Sequence, residues 1–356
     1  MARTRLLALI ALSVAVAGLA LGAGARGGRP AAALPSPSAR STLAARPAVS
    51  LASSRSALAT VSWRGGPVTT AAGQVVRVFV SDTLPVETAT PEQWAEFLAS
   101  LTHGSELEQL TSYIAPLAEV QQICGPRTLG CYLRNELVSM AEPIADGTTA
   151  EEVVRHEYGH HIALHRSNDP WTAIDWGPKW WASAVGVCGR VARREAFPGD
   201  EGTNYSRNPG EAWSEVYRLM DERKAGITTA NWQIIDPGFY PGDAALQAAE
   251  RDVLEPWAQG TPVAFRKVFG AKTKVWLIPL RTPLDGEMRV TAVLPRNGLQ
   301  EVALLGPDRR AVIRKGQWFG QRSKALSTTV CGQRTLYVRV TQRGAPGLVR
   351  LSVTTP

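Results

Sequence analysis

Hydrophobic and polar positions follow two different periods along this chain, and the change occurs near Ala271. Before this point, several segments repeat apolar residues with the spacing of a helix, and short apolar runs between them are typical of strands. After it, only short β-rich runs occur, separated by turn residues. The pattern predicts an α+β fold, with a mixed domain at residues 61–260 and a small antiparallel β-sandwich at residues 271–356.

Four short elements are predicted in the first half of the mixed domain. Gln74–Ser81 is predicted to be a strand because Val and Phe dominate it. Pro91–Leu101 is predicted to be a helix, since Pro stands near its start and its large apolar residues share one face. Ala118–Ile123 and Tyr132–Met140 are predicted to be further strands.

The sandwich is predicted from short runs that are rich in β-branched and aromatic residues. Turn signals at Pro283–Gly286 and Arg296–Gly298 separate some of these runs. The predicted strands are Lys274–Arg281, Glu287–Leu294, Glu301–Leu305, Ala311–Lys315, Thr335–Thr341 and Leu348–Thr354.

One helix of the mixed domain carries the pattern H-E-x-x-H at His156, Glu157 and His160. Each helical residue turns the chain by about 100°, so the two His project from one face, one turn apart. Two imidazoles placed in this way can share one Zn²⁺, and the Glu157 carboxylate can take a proton from a metal-bound water. The helix is predicted over Thr149–His165, and Thr148–Glu152 offers a capping box at its start.

A catalytic zinc ion needs a third protein ligand and keeps one position for water. The metzincin pattern would supply a Gly and a third His at fixed positions after His160. No such Gly occurs, and His165 comes one residue too early. The third ligand is therefore expected on another element of the chain.

A second helix is predicted downstream, because Asn208 is a favoured N-cap, Pro209 suits the first helical position and Gly226 follows as a stop. Glu211 and Glu215 lie one turn apart on this helix, so one can bind metal while the other supports a ligand. By this reasoning alone, Glu211 can instead be a capping carboxylate, and Glu215 a solvated or core-edge one. The other candidate ligands are Asp169, Asp200 and Glu201.

Two His followed by a distant Glu resemble the gluzincins, which are zinc peptidases with two His ligands and one Glu ligand. The segment Tyr205–Met220 looks most like the catalytic domain of lethal-factor-type toxin proteases and their secreted bacterial relatives. The resemblance covers residues 75–225 and implies a zincin-like domain with Glu211 as the third zinc ligand. It further implies that Glu215 orients a ligand His and that Tyr205 donates a hydrogen bond to the developing oxyanion.

The resemblance implies a zinc-dependent endopeptidase that acts on peptide or protein substrates, with Glu157 as the general base. Zincins hold an extended peptide against an edge strand, and Tyr132–Met140 is the candidate for that strand. A cell-wall peptide amidase or peptidase is an alternative, as is a catalytically silent zincin-like binding module. Glu157 is intact, which argues against the silent module.

Composition and charge limit the classes of partner that the protein is expected to bind. The chain has 356 residues, of which 44% are hydrophobic and 20% charged, and this composition is that of a globular protein. Its net charge is +8, but no compact Lys/Arg run occurs, so no nucleic-acid partner is predicted. Weak association with anionic cell-envelope polymers is compatible with the charge.

The N-terminus is predicted to be a secretory signal peptide over residues 1–25. Arg3 and Arg5 precede the apolar stretch Leu6–Ala25, which ends in small residues of the A-x-A type. Residues 26–60 are predicted to be a linker or pro-segment. The protein is thus expected to be secreted, without stable membrane insertion after signal cleavage; an uncleaved membrane anchor is the alternative.

The cysteines agree with export. There are four, Cys124, Cys131, Cys188 and Cys331, and an even number in a secreted chain favours disulfides. A turn-rich hexapeptide separates Cys124 from Cys131, so these two are predicted to pair. The remaining pair would tie the C-terminal domain to the mixed domain.

Overall fold

Helices are concentrated in the first part of the described chain and strands in the last, as the sequence pattern predicts. The computed structural model describes residues 51–356, except residues 88, 229–231, 233–234, 321–323 and 333–334. Within this part the fold is α+β with several antiparallel sheets. The predicted signal peptide and most of the predicted linker lie outside the described residues. In the described part, no helix is both long and apolar enough to cross a membrane.

The helices of the mixed region lie between and after short strands. They are α1 (Leu51–Leu58), α2 (Pro91–Ser100), α3 (Leu117–Cys124), α4 (Ala150–Leu164), α5 (Ala173–Trp176), α6 (Lys179–Ala184), α7 (Val187–Ala192), α8 (Pro209–Lys224) and α9 (Asp243–Leu254). Its strands are β1 (Trp63–Thr69), β2 (Val75–Ser81), β3 (Thr111–Ala115), β4 (Gly130–Tyr132), β5 (Glu136–Met140) and the short pair β6 (Ser167–Asn168) and β7 (Trp171–Thr172). Single 3₁₀ turns are found at Ser105–Gln109, Tyr205–Arg207 and Pro237–Phe239.

A five-stranded sheet with the order β1-β2-β3-β5-β4 forms the frame of this region. The pairs β2–β3 and β3–β5 are parallel, whereas β1–β2 and β4–β5 are antiparallel. Successive residues of a strand point to opposite faces. Leu137 accordingly packs with α4 and α8, while Val138 packs in a second apolar cluster with α1 and α3.

Capping residues fix the starts of the helices that the sequence predicts best. Thr149 accepts a hydrogen bond from Glu152 N, and the Glu152 side chain accepts one from Thr149 N, so the predicted capping box of α4 is confirmed. At α8, the Asn208 side chain accepts a hydrogen bond from Gly210 N, and Pro209 occupies the first turn, also as predicted.

Two strand predictions were wrong in the mixed region. Residues 117–124 form α3, not a strand, since Val120, Ile123 and Cys124 are buried at helical spacing while the residues between them are polar. The predicted strand Tyr132–Met140 is broken into β4 and β5 by a tight turn in which Arg134 and Asn135 have positive φ angles of 49° and 70°. Within the described sheet β4 and β1 are the two edge strands, and β5 lies inside.

Residues 51–58, predicted to be linker, form α1 instead. Ser54 and Leu58 are buried, and Leu58 packs in the cluster that includes Val120 and Ile123 of α3. The Trp63 indole N–H donates to Leu58 O at 3.0 Å. The helix was missed because its apolar residues are two Ala and two Leu confined to its ends, which give little periodic signal.

The C-terminal part is a sandwich of two antiparallel four-stranded sheets, with the orders β13-β10-β15-β8 and β12-β11-β14-β9. Their inward residues, such as Val290, Val302 and Val338, alternate with outward polar residues and are fully buried. Two strands were not predicted: β8 precedes Ala271 and is mostly exposed, and β13 is rich in Ser and Thr. The strands are β8 (Val263–Phe269), β9 (Val275–Arg281), β10 (Gly286–Val293), β11 (Leu299–Leu305), β12 (Val312–Phe319), β13 (Lys324–Val330), β14 (Thr335–Gln342) and β15 (Gly347–Thr354).

Both predicted disulfides are present. Cys124 is bonded to Cys131, and Cys188 of α7 is bonded to Cys331, which follows β13. The second bond joins the mixed region to the sandwich. Beside it, Asp285 N donates to Ser183 Oγ at 2.9 Å, so the two regions are linked by polar contacts as well as by the covalent bond.

Candidate metal centre

The helix α4 presents its two motif histidines side by side. His156 and His160 lie one turn apart, and their ring centroids are separated by 5.2 Å. Most of α4 is buried between the sheet and α8, so the capping box at Thr149 and the buried apolar residues fix its position. The histidine face is thereby directed towards α8.

A close crossing of α4 and α8 sets the geometry of the centre. A Cβ on Gly159 would lie only 2.7 Å from Ser214 Cα, so the two backbones approach as closely as glycine allows. The Trp213 indole N–H donates to Gly159 O at 2.8 Å and ties the helices together at the same level. Along α4, the contact residue Gly159 lies between His156 and His160. Along α8, Ser214 lies between Glu211 and Glu215.

The crossing brings three candidate ligands together. Donor atoms of His156, His160 and Glu211 all lie within 4.8 Å of one another, and the group could hold a metal ion. The Glu211 carboxylate lies 3.2 Å from His156 Nε2 and 3.4 Å from His160 Nε2. Asp169, Asp200 and Glu201 do not belong to this group.

Glu215 lies behind His156. Its Oε2 is 3.2 Å from His156 Nδ1, so the two nitrogens of this ring face the two glutamates of α8. Arg218 holds the Glu215 carboxylate with two contacts, Nε to Oε2 at 3.0 Å and Nη2 to Oε1 at 2.6 Å. Glu222 in turn accepts from Arg218 at 2.6 Å. Such outer contacts orient a ligand histidine and fix its tautomer.

The charges of the centre depend on one another. Burial raises the pKa of Glu215, but Arg218 and His156 lower it more, and the result is about 2. Burial lowers the pKa of His156, whereas hydrogen bonds to Glu211 and Glu215 raise it, and the result is about 10. Burial also raises the pKa of Glu211, but His160 and His156 bring it well below its usual range. A cation among these groups would compete with the His156 proton.

Glu157 lies on the same helix and is buried, with 5% of its surface exposed. Its Oε2 has no hydrogen-bond partner among the described residues. A buried carboxylate oxygen without a partner is rare and calls for an explanation, such as a water or a functional role. Glu157 is near enough to His156 for its charge to raise the pKa of that ring.

Tyr205 stands in the 3₁₀ turn just before α8, and its hydroxyl donates to Glu211 Oε2 at 2.6 Å. The structure therefore brings together five residues that the sequence predicts for the site, which are His156, Glu157, His160, Tyr205 and Glu211. Glu215 lies beside them and contacts His156. Arg218 was not assigned a role. Its spacing of three residues from Glu215 on a helix is the signal that could have revealed the contact.

The edge strand β4 runs beside α4. A Cβ on Gly130 would lie 3.1 Å from Glu157 Cγ and 2.9 Å from Val138 O, so this strand touches the candidate base. Tyr132 Oη lies 2.8 Å from His161 Nδ1, and His161 Nε2 donates to Glu106 O at 2.8 Å. Burial lowers the pKa of His161 to about 4, so its ring is neutral and accepts the Tyr132 hydroxyl. This contact was not predicted from the sequence.

Comparisons with known proteins add little to this geometry. No protein-family model matches the sequence, and no curated protein matches it. The pre-peptidase C-terminal domain of a Bacillus anthracis collagenase is 12% identical, with 26% of this chain and 90% of that chain covered and a TM-score of 0.22. A carbohydrate-binding module of Cellvibrio mixtus lichenase 5A is 9% identical, with 28% and 92% covered and a TM-score of 0.19. Scores this low carry no argument about fold or function.

Proposed function

We propose that this protein is a zinc-dependent endopeptidase with a zincin-like domain of the gluzincin type. The observation that carries the proposal is the grouping of His156, His160 and Glu211 beside a buried Glu157. Two histidines and one carboxylate are the protein ligands of one common class of catalytic zinc site. The grouping joins residues from two helices far apart in sequence, which a chance occurrence of H-E-x-x-H would not explain.

Zinc is the metal proposed for this donor set. Two imidazoles and one carboxylate suit Zn²⁺, which when bound supplies Lewis acidity and lowers the pKa of its water to about 7. Glu215 and Arg218 support the proposal because they hold one histidine in a fixed orientation.

The protein residues would then perform the remaining steps. Glu157 accepts a proton from the attacking water and delivers it to the leaving amine. The Tyr205 hydroxyl, which now lies at Glu211, turns to the substrate carbonyl and donates to its oxygen as negative charge develops. These roles are carried over from the gluzincin resemblance, and the positions of both side chains are compatible with them.

An extended peptide is the proposed substrate. The strand β4 is one of the two outer strands of the described sheet and lies against Glu157, so a peptide added to this edge would pass the candidate base. Main-chain pairing of this kind gives affinity without demanding a particular sequence. We further propose that the protein is exported, since its two disulfides are typical of oxidising compartments.

The test is a digest of a peptide library by the purified chain, combined with metal analysis. We expect about one zinc per chain when the ligand set is filled. Cleavage should stop with a chelator and return with added zinc. The variant Glu157→Gln should retain the zinc but lose about 10²–10⁴-fold in turnover, because an amide cannot accept the water proton.

Glu151→Gln is the matched control, since Glu151 is an exposed carboxylate in the first turn of the same helix. It should cleave like the wild type. Zinc binding without cleavage of any peptide would contradict the endopeptidase. Release of peptides from purified cell wall in the same assay, without cleavage of the library, would favour the cell-wall amidase instead.

A further inference from the structure

The Cys124–Cys131 disulfide lies next to the candidate active site, unlike the disulfide that joins the sandwich. Cys124 is the last residue of α3, and Cys131 is the central residue of β4. The two are seven positions apart, so the bond closes a short loop directly onto the edge strand. The neighbouring residue, Gly130, packs so close to Glu157 that a Cβ on it would lie 3.1 Å from Glu157 Cγ.

The strand β4 has only three residues and needs to be held at both ends. At its C-terminal end, Leu133 N donates to Glu136 O at 2.7 Å, and Tyr132 Oη lies 2.8 Å from His161 Nδ1. At its N-terminal end, Met140 N donates to Leu129 O at 3.0 Å. The disulfide is the covalent constraint, and it anchors the strand to the buried end of α3.

The loop between the two cysteines has an unfavourable backbone. Arg127 adopts a φ of 67°, a backbone angle that residues other than glycine seldom adopt. Within the loop, Thr128 Oγ1 donates to Gly125 O at 2.7 Å. With the bond cut, Arg127 can relax to an extended conformation, and the N-terminal end of β4 would move with it.

The candidate ligands do not depend on this loop. They lie on α4 and α8, which are tied together by the Gly159–Ser214 crossing and by the Trp213 hydrogen bond to Gly159 O. Neither contact involves α3 or β4. Loss of the disulfide should therefore disturb the strand beside Glu157 and leave the metal group in place.

We propose that Cys124 and Cys131 are positioning residues, whose disulfide holds β4 against Glu157 so that a substrate peptide lies correctly over the metal group. The proposal rests on the proposed peptidase function. It predicts that reduction of this bond impairs cleavage and loosens β4, while zinc stays bound. The chain would then be fully active only where this bond is oxidised.

The second disulfide gives a matched control. We would compare the variant C124S/C131S with C188S/C331S, measuring zinc content, thermal stability, kcat, KM and amide hydrogen exchange. Cys188 and Cys331 are 143 positions apart, so chain entropy predicts that their loss lowers stability more. Activity, in contrast, should fall more in C124S/C131S than in C188S/C331S.

For C124S/C131S we expect about 100-fold lower kcat/KM, mainly through kcat, because misplacement of a bound substrate by about 1 Å can slow the chemical step by that much. Amides of residues 129–133 should exchange faster, while those of α4 and α8 and the zinc content stay as in the wild type. C188S/C331S should cleave at the wild-type rate where it is folded. Equal losses in both variants, or wild-type activity in C124S/C131S, would overturn the proposal.

Two further readouts keep the test decisive. If C124S/C131S does not fold, C188S/C331S can be titrated with a thiol, because it has only one disulfide to lose; cleavage should fall on reduction and return on reoxidation. If the wild type cleaves no peptide, the peptidase function fails, and hydrogen exchange alone decides the positioning role. Unchanged exchange in residues 129–133 after reduction would then refute that role.

Discussion

The α4–α8 pair and the C-terminal sandwich are both well packed, but they bury different kinds of side chain. In α8, Glu211, Glu215, Arg218, Asp221 and Glu222 are all at most 4% exposed, and every residue from Pro209 to Glu222 is buried. Among the described strands of the sandwich, the buried polar side chains are Gln300 and Gln342, and the rest of the interior is apolar.

This difference distinguishes a part of the fold with a specific chemical requirement from a part without one. Burying a charge costs free energy unless it is paired, and replacing buried pairs by apolar residues is often neutral or stabilising. The pairs Arg155–Asp221 at 2.9 Å and Arg218–Glu222 at 2.6 Å are therefore weak candidates for a purely stabilising role. They are better explained as supports that hold the α8 carboxylates in position. The sandwich interior meets only the general requirement of an apolar core.

The largest expected effect distinguishes the two glutamates of α8. Glu211→Ala should remove a bond to the metal and lower zinc affinity sharply, because only the two histidines remain. Glu215→Ala should weaken zinc binding by only about 10–100-fold, since it acts through the orientation of His156. Zinc affinities measured by competition with a chelator check both values.

The assignment of Glu211 as the third ligand depends on which of the two variants loses more zinc affinity. Asp252→Ala is the control for loss of a buried carboxylate and should leave zinc affinity unchanged, because Asp252 accepts from Trp180 N and Trp181 N and lies outside the candidate ligand group. A weaker effect for Glu211→Ala than for Glu215→Ala would reassign the third ligand. Unchanged affinity in both would mean that these glutamates do not hold the ion.

The next prediction compares a packing change in the α4–α8 pair with a packing change in the sandwich. Gly159→Ala places a Cβ against Ser214 Cα, and overpacking of this kind typically costs about 1–3 kcal/mol of stability. Leu304→Ala leaves a cavity in the sandwich, which typically costs about 2–5 kcal/mol. The larger loss of stability is thus expected in the sandwich, but only Gly159→Ala should weaken zinc binding, because it separates the two helices that carry the ligands.

Urea unfolding and zinc titration of both variants test this contrast. If Leu304→Ala lowered zinc affinity as much as Gly159→Ala, the metal group would depend on general stability. The helix crossing would then have no special role in placing the ligands. Gly226→Ala, at a glycine with a positive φ and no close neighbour, is a control for glycine replacement outside the crossing.

Local signals in the sequence were sufficient for the helices that carry the site. The capping box at Thr149, the Asn208–Pro209 start and the i, i+4 spacing of His156 and His160 all depend on residues close together in the chain. The choice of Glu211 needed the family resemblance, because helical geometry alone could not separate it from Glu215. The structure brings Glu211 to both histidines and Glu215 to only one.

Other features of the structure could not be predicted, because they depend on contacts between residues that are far apart in the sequence or on ambiguous local patterns. The crossing at Gly159 and Ser214 joins residues 55 positions apart, and nothing near Gly159 marks it as a contact point. The α3 helix was predicted as a strand because short apolar runs fit both periods. The break between β4 and β5 depends on Arg134 and Asn135 adopting positive φ, which only Asn favours among the two.

The smallest expected effect concerns the junction between the two regions. Lys179 of α6 is fully buried, and its Nζ donates to Asp169 O at 2.5 Å and to Asp285 O at 3.0 Å. Burial lowers the pKa of Lys179 to about 8, although Asp169, Asp285 and Asp252 act in the opposite direction. The folded protein therefore binds this proton less tightly than the unfolded chain, whose lysine has its ordinary pKa of about 10.4.

Because the folded pKa is the lower one, protonation of Lys179 costs stability below pH 8, and this cost fades as the pH rises towards the unfolded value. The free energy of unfolding of the wild type minus that of Lys179→Met should hence increase between pH 7 and pH 10, by roughly 1–3 kcal/mol. Urea unfolding at several pH values measures the difference. Lys315→Met, at an exposed lysine on β12, is the control and should give a difference that does not change with pH. A flat or falling difference for Lys179→Met would mean that this ammonium group is as well solvated at the junction as in the unfolded chain, and that the contact between the regions does not confine it.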